Sequence, residues 1–412
     1  MTSALTRQID RAGCWAAAAL GVSILFSVAL HNVLLAACLA AWLLGGSYRE
    51  KFEAVRTNPV VVAALALFAL LAAGLAWGER YPGDAAVYLG KYQDLLFVAL
   101  FVYLLRDATV RLGAIYAFAG SLGAVLVLSY LIRLGIVPAG LIHSTGLLGD
   151  PGNPIVLKHH LTHNILMAYG AFLFAELALA ARTARIRALL TAAALAAAVN
   201  VLFMVQGRTG YLVLAALALY WGYGMRGWRG LAVAAAVSFV TVAALALVPG
   251  TFHERWQTLV SEFQSWRPGA ATQTSTGSRL EFYRNSLEIV REHPLLGVGT
   301  GGFPKAYDEK VRGTDAAGTR NPHNEYLHIA AQIGLAGLAL LLCLFYVQWR
   351  CAARLGSPLE LHLARGLTLT IAVGCLFNSL LLDHTEGLMF AWLTGVLYAG
   401  LGSGKKEMEN RE

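Results

Sequence analysis

The chain has 412 residues, of which 57% are hydrophobic and only 14% charged, with a formal net charge of +8. Soluble domains carry roughly 25% charged residues, so an ordinary soluble fold is excluded. The excess of basic residues is scattered between apolar runs and gathers on no polar module, which excludes a nucleic-acid-binding reading.

Taken in chain order, the apolar runs predict an all-α protein. Stretches such as 60–77 and 231–248 run about 18 residues without a charge, close to the roughly 20 that a helix needs to cross hydrocarbon. Period-2 alternation is absent, so helices are the expected way to satisfy backbone groups in lipid. Breaking the chain at polar interruptions predicts about twelve transmembrane helices. They lie near 13–30, 33–45, 60–77, 86–105, 112–134, 161–181, 188–205, 211–225, 230–248, 325–348, 360–382 and 387–402. Arg7 and Arg11 precede the first run, which is long and closely followed by others, so a retained helix is expected and not a signal peptide.

Basic residues mark the cytoplasmic side of an inner-membrane protein. With the N-terminus inside, every alternate loop carries a group: Arg49/Lys51/Arg56, Arg106/Arg111, Arg182/Arg185/Arg187, Arg226/Arg229, Arg350/Arg354/Arg365 and Lys405/Lys406/Arg411. The opposite loops hold few, chiefly Arg80, Lys158 and Arg208. Both termini are thus expected in the cytoplasm. The expected division is residues 1–248 as spans one to nine, 249–324 as a helical periplasmic segment, and 325–412 as spans ten to twelve with a cytoplasmic tail.

Within that segment, "FHERWQTLVSEFQSW" has the spacing of an interfacial helix. "SRLEFYRNSLEIVREHP" opens with Ser278 and Glu281 in capping-box spacing, which predicts Ser278 as the cap and Arg279 as the first helical residue. "GVGTGGF" (297–303) follows a helix and not a strand, so it reads as a flexible turn and not a dinucleotide loop.

Three features on the periplasmic side carry chemistry. "QGRTGY" sets Arg208 between spans with Gly207 and Gly210 around it; an arginine at membrane depth should face a polar cavity or a partner, the alternative being an arginine snorkelling to headgroups. Arg279 at a helix start suits an anion such as pyrophosphate, the alternative being a solvated surface position. "NPHNEYL" places His323 at the mouth of the bundle, where a neutral imidazole can take a proton from a hydroxyl; a histidine bonded to a loop carbonyl is the plain alternative, and His328 is its nearest decoy. "LLDHTEG" brings Asp383, His384 and Glu386 to the same side, to orient an acceptor or His323, or merely to end a helix. His159 and His163 in "KHHLTHN" are at i,i+4 spacing, but no acidic ligand accompanies them, so no metal site is expected. The five cysteines lie in or beside predicted spans and imply no disulfide framework.

"QGRTGY", "GSRLEFYRNSLEIVREHPLLGVGTGGF" and "NPHNEYLHIAAQIGLAGL" together resemble the bacterial O-antigen ligase/polymerase superfamily over roughly residues 200–345. The resemblance implies a glycosyltransferase that moves a glycan from undecaprenyl pyrophosphate to a hydroxyl, inverting the anomeric centre without metal or cofactor. Arg208 and Arg279 would hold the pyrophosphate and His323 would act as general base, with Gly207, Thr209, Asn324, Tyr326 and Asp383 as further substrate contacts. A ligase, accepting on the lipid A core in lipopolysaccharide biosynthesis, is favoured over two relatives. The 135–160 loop lacks the arginines of an O-antigen polymerase, and the sequence ends soon after its last apolar run, unlike a protein O-oligosaccharyltransferase. A transporter of lipid-linked glycan or small molecules is the rival from another class; it would bury charges at mid-membrane, where this sequence has almost none.

Overall fold

The computed structural model describes residues 4–145, 148–247, 251–269 and 274–401. The predicted cytoplasmic tail, with Lys405, Lys406 and Arg411, lies outside the described residues. Among the described residues there is helix and no strand.

The chain opens with α1 (Ala4–Phe26) and α2 (Val28–Leu44), separated only by Ser27, whose hydroxyl caps α2 by accepting from Leu30 N at 3.2 Å. The short α3 (Tyr48–Thr57) then turns back sharply, 112° from α2. Asn58 caps α4 (Pro59–Ala73), with Pro59 at the first helical position, where its missing N–H costs nothing. Next come α5 (Asp84–Lys91) and α6 (Asp94–Leu104), joined end to end, and α7 (Ala108–Arg133), capped by Asp107. The short α8 (Ala139–Thr145) leads to α9 (His160–Ala180) and α10 (Ala184–Val199), which closes in a π-helical turn over Asn200–Met204.

The helix α11 (Arg208–Leu247) is a hairpin. Arg226 and Gly227 leave helical geometry, and a Cβ built on Gly230 would lie 1.9 Å from the Gly222 carbonyl oxygen. Residues eight apart on a straight helix are separated by about 12 Å along the axis, so arms 208–225 and 228–247 run antiparallel. They match the two predicted runs there.

Three helices follow in the segment predicted as a helical insertion: α12 (Thr251–Ser265), α13 (Ser275–Glu292) and α14 (Phe303–Val311). "GVGTGGF" joins the last two, and it is pinned rather than flexible. Thr300 is fully buried, its N–H donates to Gly74 O, and Gly301 N donates to Gln332 Oε1.

The predicted span at 325–348 needs correction. The helix α15 (Glu325–Ala352) breaks at Ile333 and Gly334, the latter at φ +68°. The rings of Tyr326 and Phe345 have centroids 6.4 Å apart, although 19 residues of straight helix would hold them about 28 Å apart. The arm 325–332 therefore folds back against 335–352, and its residues from His328 onward are buried. Finally α16 (Pro358–Gly374) and α17 (His384–Tyr398) complete the bundle.

Each predicted apolar run contains helix, but the run at 360–382 is helical only to Gly374, and 375–382 is a chain of turns leading into α17. Among the described residues, eight helices are long and apolar enough to cross a membrane, or nine if α2 and α3 form one bent span. The difference from twelve arises because the α11 hairpin counts once and because α2, α16 and α17 have only 17, 17 and 15 residues. At the centre, α17 is buried along nearly its whole length, with Trp392 packed on Gly21 and its indole N–H donating to Ala17 O at 2.7 Å. The outward rows of α10 and the second arm of α11, including Leu189, Leu195, Val237 and Phe239, are exposed and apolar, as a lipid-facing surface requires. A second, smaller core joins α13, α14 and the short arm of α15 through Ile289, Val290, Phe303, Tyr307 and Ala331.

Candidate active site

Arg208 starts α11 just after the π-helical turn that ends α10. Two buried asparagines hold this elbow. Asn200 donates to Ser129 Oγ at 2.8 Å, and Asn164 of α9 donates to the carbonyls of Gly207 and Val205 at 2.9 and 3.3 Å. Gly207 is needed for close approach: a Cβ there would meet Asn164 Nδ2 at 2.4 Å. The elbow leaves Arg208 half-buried, donating from Nη1 to Thr276 Oγ1 at 2.9 Å.

Thr276 belongs to α13, and here the sequence expectation is corrected. The cap is Thr274, whose hydroxyl accepts from Gly277 N, so the helix begins one turn earlier than Ser278. Arg279 lies past the first turn and not at the first position. Two first-turn N–H groups are already used, Thr276 N by Glu262 Oε2 and Gly277 N by the cap, so the helix end is not an open anion site. Glu281, placed by the sequence in a capping box, instead accepts from Asn285, Arg284 and Gly269 N.

What remains is the guanidinium itself. Arg279 is half-buried beside Arg208, and no carboxylate pairs with either among the described residues. Burial lowers the Arg279 pKa from its usual value, Tyr283 opposes that, and the Arg208 charge adds to it. Both arginines line a cleft of about 190 Å³ with Thr209, Ser275, Gln206 and His160. The Thr209 hydroxyl is buried and has no hydrogen-bond partner among the described residues.

His323 does not line this cleft; it lies one turn further along α13. Phe282 stacks on its ring at 6.1 Å between centroids, and the Tyr283 hydroxyl points at the carbonyl oxygens of His323 and Leu376, 3.1 Å from each. The residue has φ +56°, a left-handed conformation uncommon for a side-chain-bearing residue. Asn321 supports it by accepting from His323 N at 2.8 Å and from Ser379 Oγ at 2.8 Å.

The hydrogen bonding of the ring follows from its neighbours. An ionised Asp383 can only accept, so Asn378 turns its Nδ2 toward Asp383 Oδ2 at 3.3 Å and its Oδ1 toward His323 Nδ1 at 3.2 Å. In that orientation Asn378 Oδ1 accepts from the Nδ1–H tautomer of His323, and no group among the described residues bonds to Nε2. Burial raises the Asp383 pKa, against the pull of Lys91, His323 and His159.

The other predicted contacts take supporting places. Asn324 caps α15 through Leu327 N and donates to Leu376 O; Tyr326 donates to Ala372 O. His328 is fully buried against Tyr92 and Phe303. His163 is engaged by Val156 N and Asn200, and no metal-holding cluster exists among the described residues. His384 pairs with His31 of α2, their Nε2 atoms 2.7 Å apart, and Glu386 is buried.

Residues 191–342 match the family model described as O-antigen ligase. Over that stretch, a little more than a third of its length, the chain is similar to the O-antigen ligase family. The matched stretch contains Arg208, Arg279 and His323 and ends before Asn378 and Asp383. The long apolar helices among the described residues suit a multi-pass membrane protein, as that similarity does. An uncharacterized protein of Haemophilus influenzae (strain ATCC 51907 / DSM 11121 / KW20 / Rd) is 25% identical over 113 residues, which is 26% of this chain and 28% of that relative. The chain thus spans less than a third of that relative's length.

Sequence reasoning missed Asn378, Tyr283, Phe282 and Asn164. The aromatic pair had a signal, since 282 and 283 follow Arg279 by one helical turn. The asparagines had none, because loop closure and not spacing brings them to the site.

Proposed function

We propose that this protein transfers O-antigen polysaccharide from undecaprenyl pyrophosphate to a sugar hydroxyl of the lipid A core. The observation that carries the reading is the pair of half-buried arginines with no carboxylate to neutralise them, lining one cleft a helical turn from an imidazole with a free Nε2. A cationic cleft of this kind is complementary to pyrophosphate, and it meets the charge where it grows in the transition state.

In the proposed reaction the acceptor hydroxyl oxygen attacks the anomeric carbon from the face opposite the pyrophosphate. The bond from that carbon to the phosphate oxygen breaks, and its electron pair leaves with the lipid pyrophosphate. His323 Nε2 takes the hydroxyl proton, while Asn378 and Asp383 hold Nδ1–H. Arg208 and Arg279 take up the added charge, so the reaction needs no divalent metal. The membrane arrangement that goes with this is twelve spans, with α2, α16 and α17 crossing as short helices, both termini cytoplasmic, and 249–324 on the periplasmic side of the Gram-negative inner membrane.

The test is transfer by the purified protein, with EDTA present, from lipid-linked glycan to lipid A core. Wild type should transfer once per core, and His323→Ala and Arg279→Ala should each lose most of the activity. Undiminished transfer by either variant sinks the mechanism. Laddered growth of the lipid-linked chain would identify a polymerase instead.

A further inference from the structure

At the far end of α1 lies a second cleft, of about 820 Å³, between the first turns of α1 and the start of α7. It is remote from the site above. α1 ends at Phe26, close to His31, which pairs with His384 beside Asp383; Arg7 lies about 28 Å back along the helix axis. This is the face that the arginine distribution assigns to the cytoplasm.

The charges lining the cleft divide unequally. Asp10 is taken by an ion pair with Arg106, and Asp107 accepts from Thr109 N and Val110 N to cap α7. Each carboxylate is therefore engaged through one oxygen, and neither pairs with Arg7 or Arg11. Arg7 and Arg11 make no hydrogen bond or ion pair among the described residues, and both are exposed. They stand one turn apart on one stripe of α1, and Trp15, the next member of that stripe, is 66% exposed. Reading from the end of the helix inward, the wall is guanidinium, guanidinium, indole.

We propose that this cleft binds an anionic phospholipid, with Arg7 and Arg11 on its phosphate and Trp15 against its glycerol and upper acyl chain. Two free guanidiniums over a few Å of helix match a phosphodiester oxygen pair. An indole about 6 Å deeper than Arg11 sits where aromatic residues meet the acyl boundary, which favours an amphiphile over a free ion. The cleft volume is also within the roughly 300–1,000 Å³ of small-molecule sites.

Native mass spectrometry of the full-length protein, delipidated in detergent and supplied with phosphatidylglycerol or phosphatidylcholine, tests this. Phosphatidylglycerol should be retained over phosphatidylcholine. Each surface arginine contributes about fivefold to anionic-lipid attraction, so R7Q/R11Q should weaken retention roughly 30-fold. R7K/R11K, which keeps the charge, should retain most of it, and R182Q/R185Q, in another basic loop, should change nothing. Equal retention of the two lipids, full retention by R7Q/R11Q, an equal loss in R182Q/R185Q, or displacement by millimolar inorganic phosphate would each overturn the proposal, the last by showing a free-anion site.

Discussion

Replacing Arg279 by Met removes a guanidinium while keeping an apolar stem of similar reach, and it should move stability and binding in opposite directions. In the ligand-free protein the charge is unfavourable, since it is half-buried, Arg208 stands beside it and no carboxylate answers it. At a half-exposed site the like-charge contact and the lost solvation come to on the order of 1 kcal/mol. For a chain of this length that raises the melting temperature by about 1–2 °C. A bound pyrophosphate reverses the sign. Charged hydrogen bonds to one guanidinium contribute about 1.5–3 kcal/mol, so affinity should fall roughly 10–100-fold, and turnover by on the order of 10²–10³ if the contact tightens in the transition state. Differential scanning fluorimetry in detergent, with and without inorganic pyrophosphate, reads both effects, and the transfer assay reads the third. If Arg279→Met melts below wild type without ligand and keeps the full pyrophosphate-induced shift, the unneutralised-cation argument is wrong.

Asn378→Ala removes one neutral hydrogen bond to His323 Nδ1, worth about 1 kcal/mol, so turnover should drop around fivefold with KM unchanged; steady-state kinetics as poor as those of His323→Ala would show that Asn378 does more than fix the tautomer. Asp383→Asn keeps an acceptor for Asn378 and removes a buried charge. Because the folded pKa of Asp383 is raised, its ionisation costs stability above that pKa and nothing below the unfolded value. The variant should therefore melt higher than wild type near pH ~7, the gap closing toward pH ~4, and a constant gap across that range would refute the assignment. Gly334→Ala meets both a left-handed backbone and the Leu295 carbonyl oxygen 2.0 Å from the new Cβ, whereas Gly227→Ala meets only the backbone cost, with open space around it. The second should cost about 1–2 kcal/mol and the first clearly more; equal melting shifts would contradict the contact.

Helix positions were legible because a bilayer demands apolar length, and each run of that length contains a helix, although the one at 360–382 stops at Gly374. Breaks inside the runs were legible only when charged. Arg226 and Arg229 announce the α11 hairpin, while Gly334 sits in "AAQIGLAGL" with nothing polar to mark it, and the fold-back of α15 went unseen. The start of α13 was misjudged because Thr274 and Ser278 are both good caps and tertiary contacts choose between them. Arg208 was singled out as a charge where charge is expensive, and Arg279 and His323 by their places at a helix start and at the mouth of the bundle. Asn164, Asn200 and Asn378 are equally buried, yet one amide in an apolar run carries no signal of what it will hold.

The small core shared by α13, α14 and the short arm of α15 has a mechanical consequence. Arg279 and His323 ride on one body, locked by the Phe282 stack, the Tyr283 hydroxyl, and the bonds from Leu335 N to Pro294 O and Val298 N to Ala331 O. Arg208 rides on another, anchored to α9 through Asn164. The Arg208–Thr276 hydrogen bond spans the seam between them. In the proposed reaction a donor entering the cleft competes with the Thr276 hydroxyl for the Arg208 guanidinium, while Arg279 and His323 stay tied to each other through the packing of Phe282 and Tyr283.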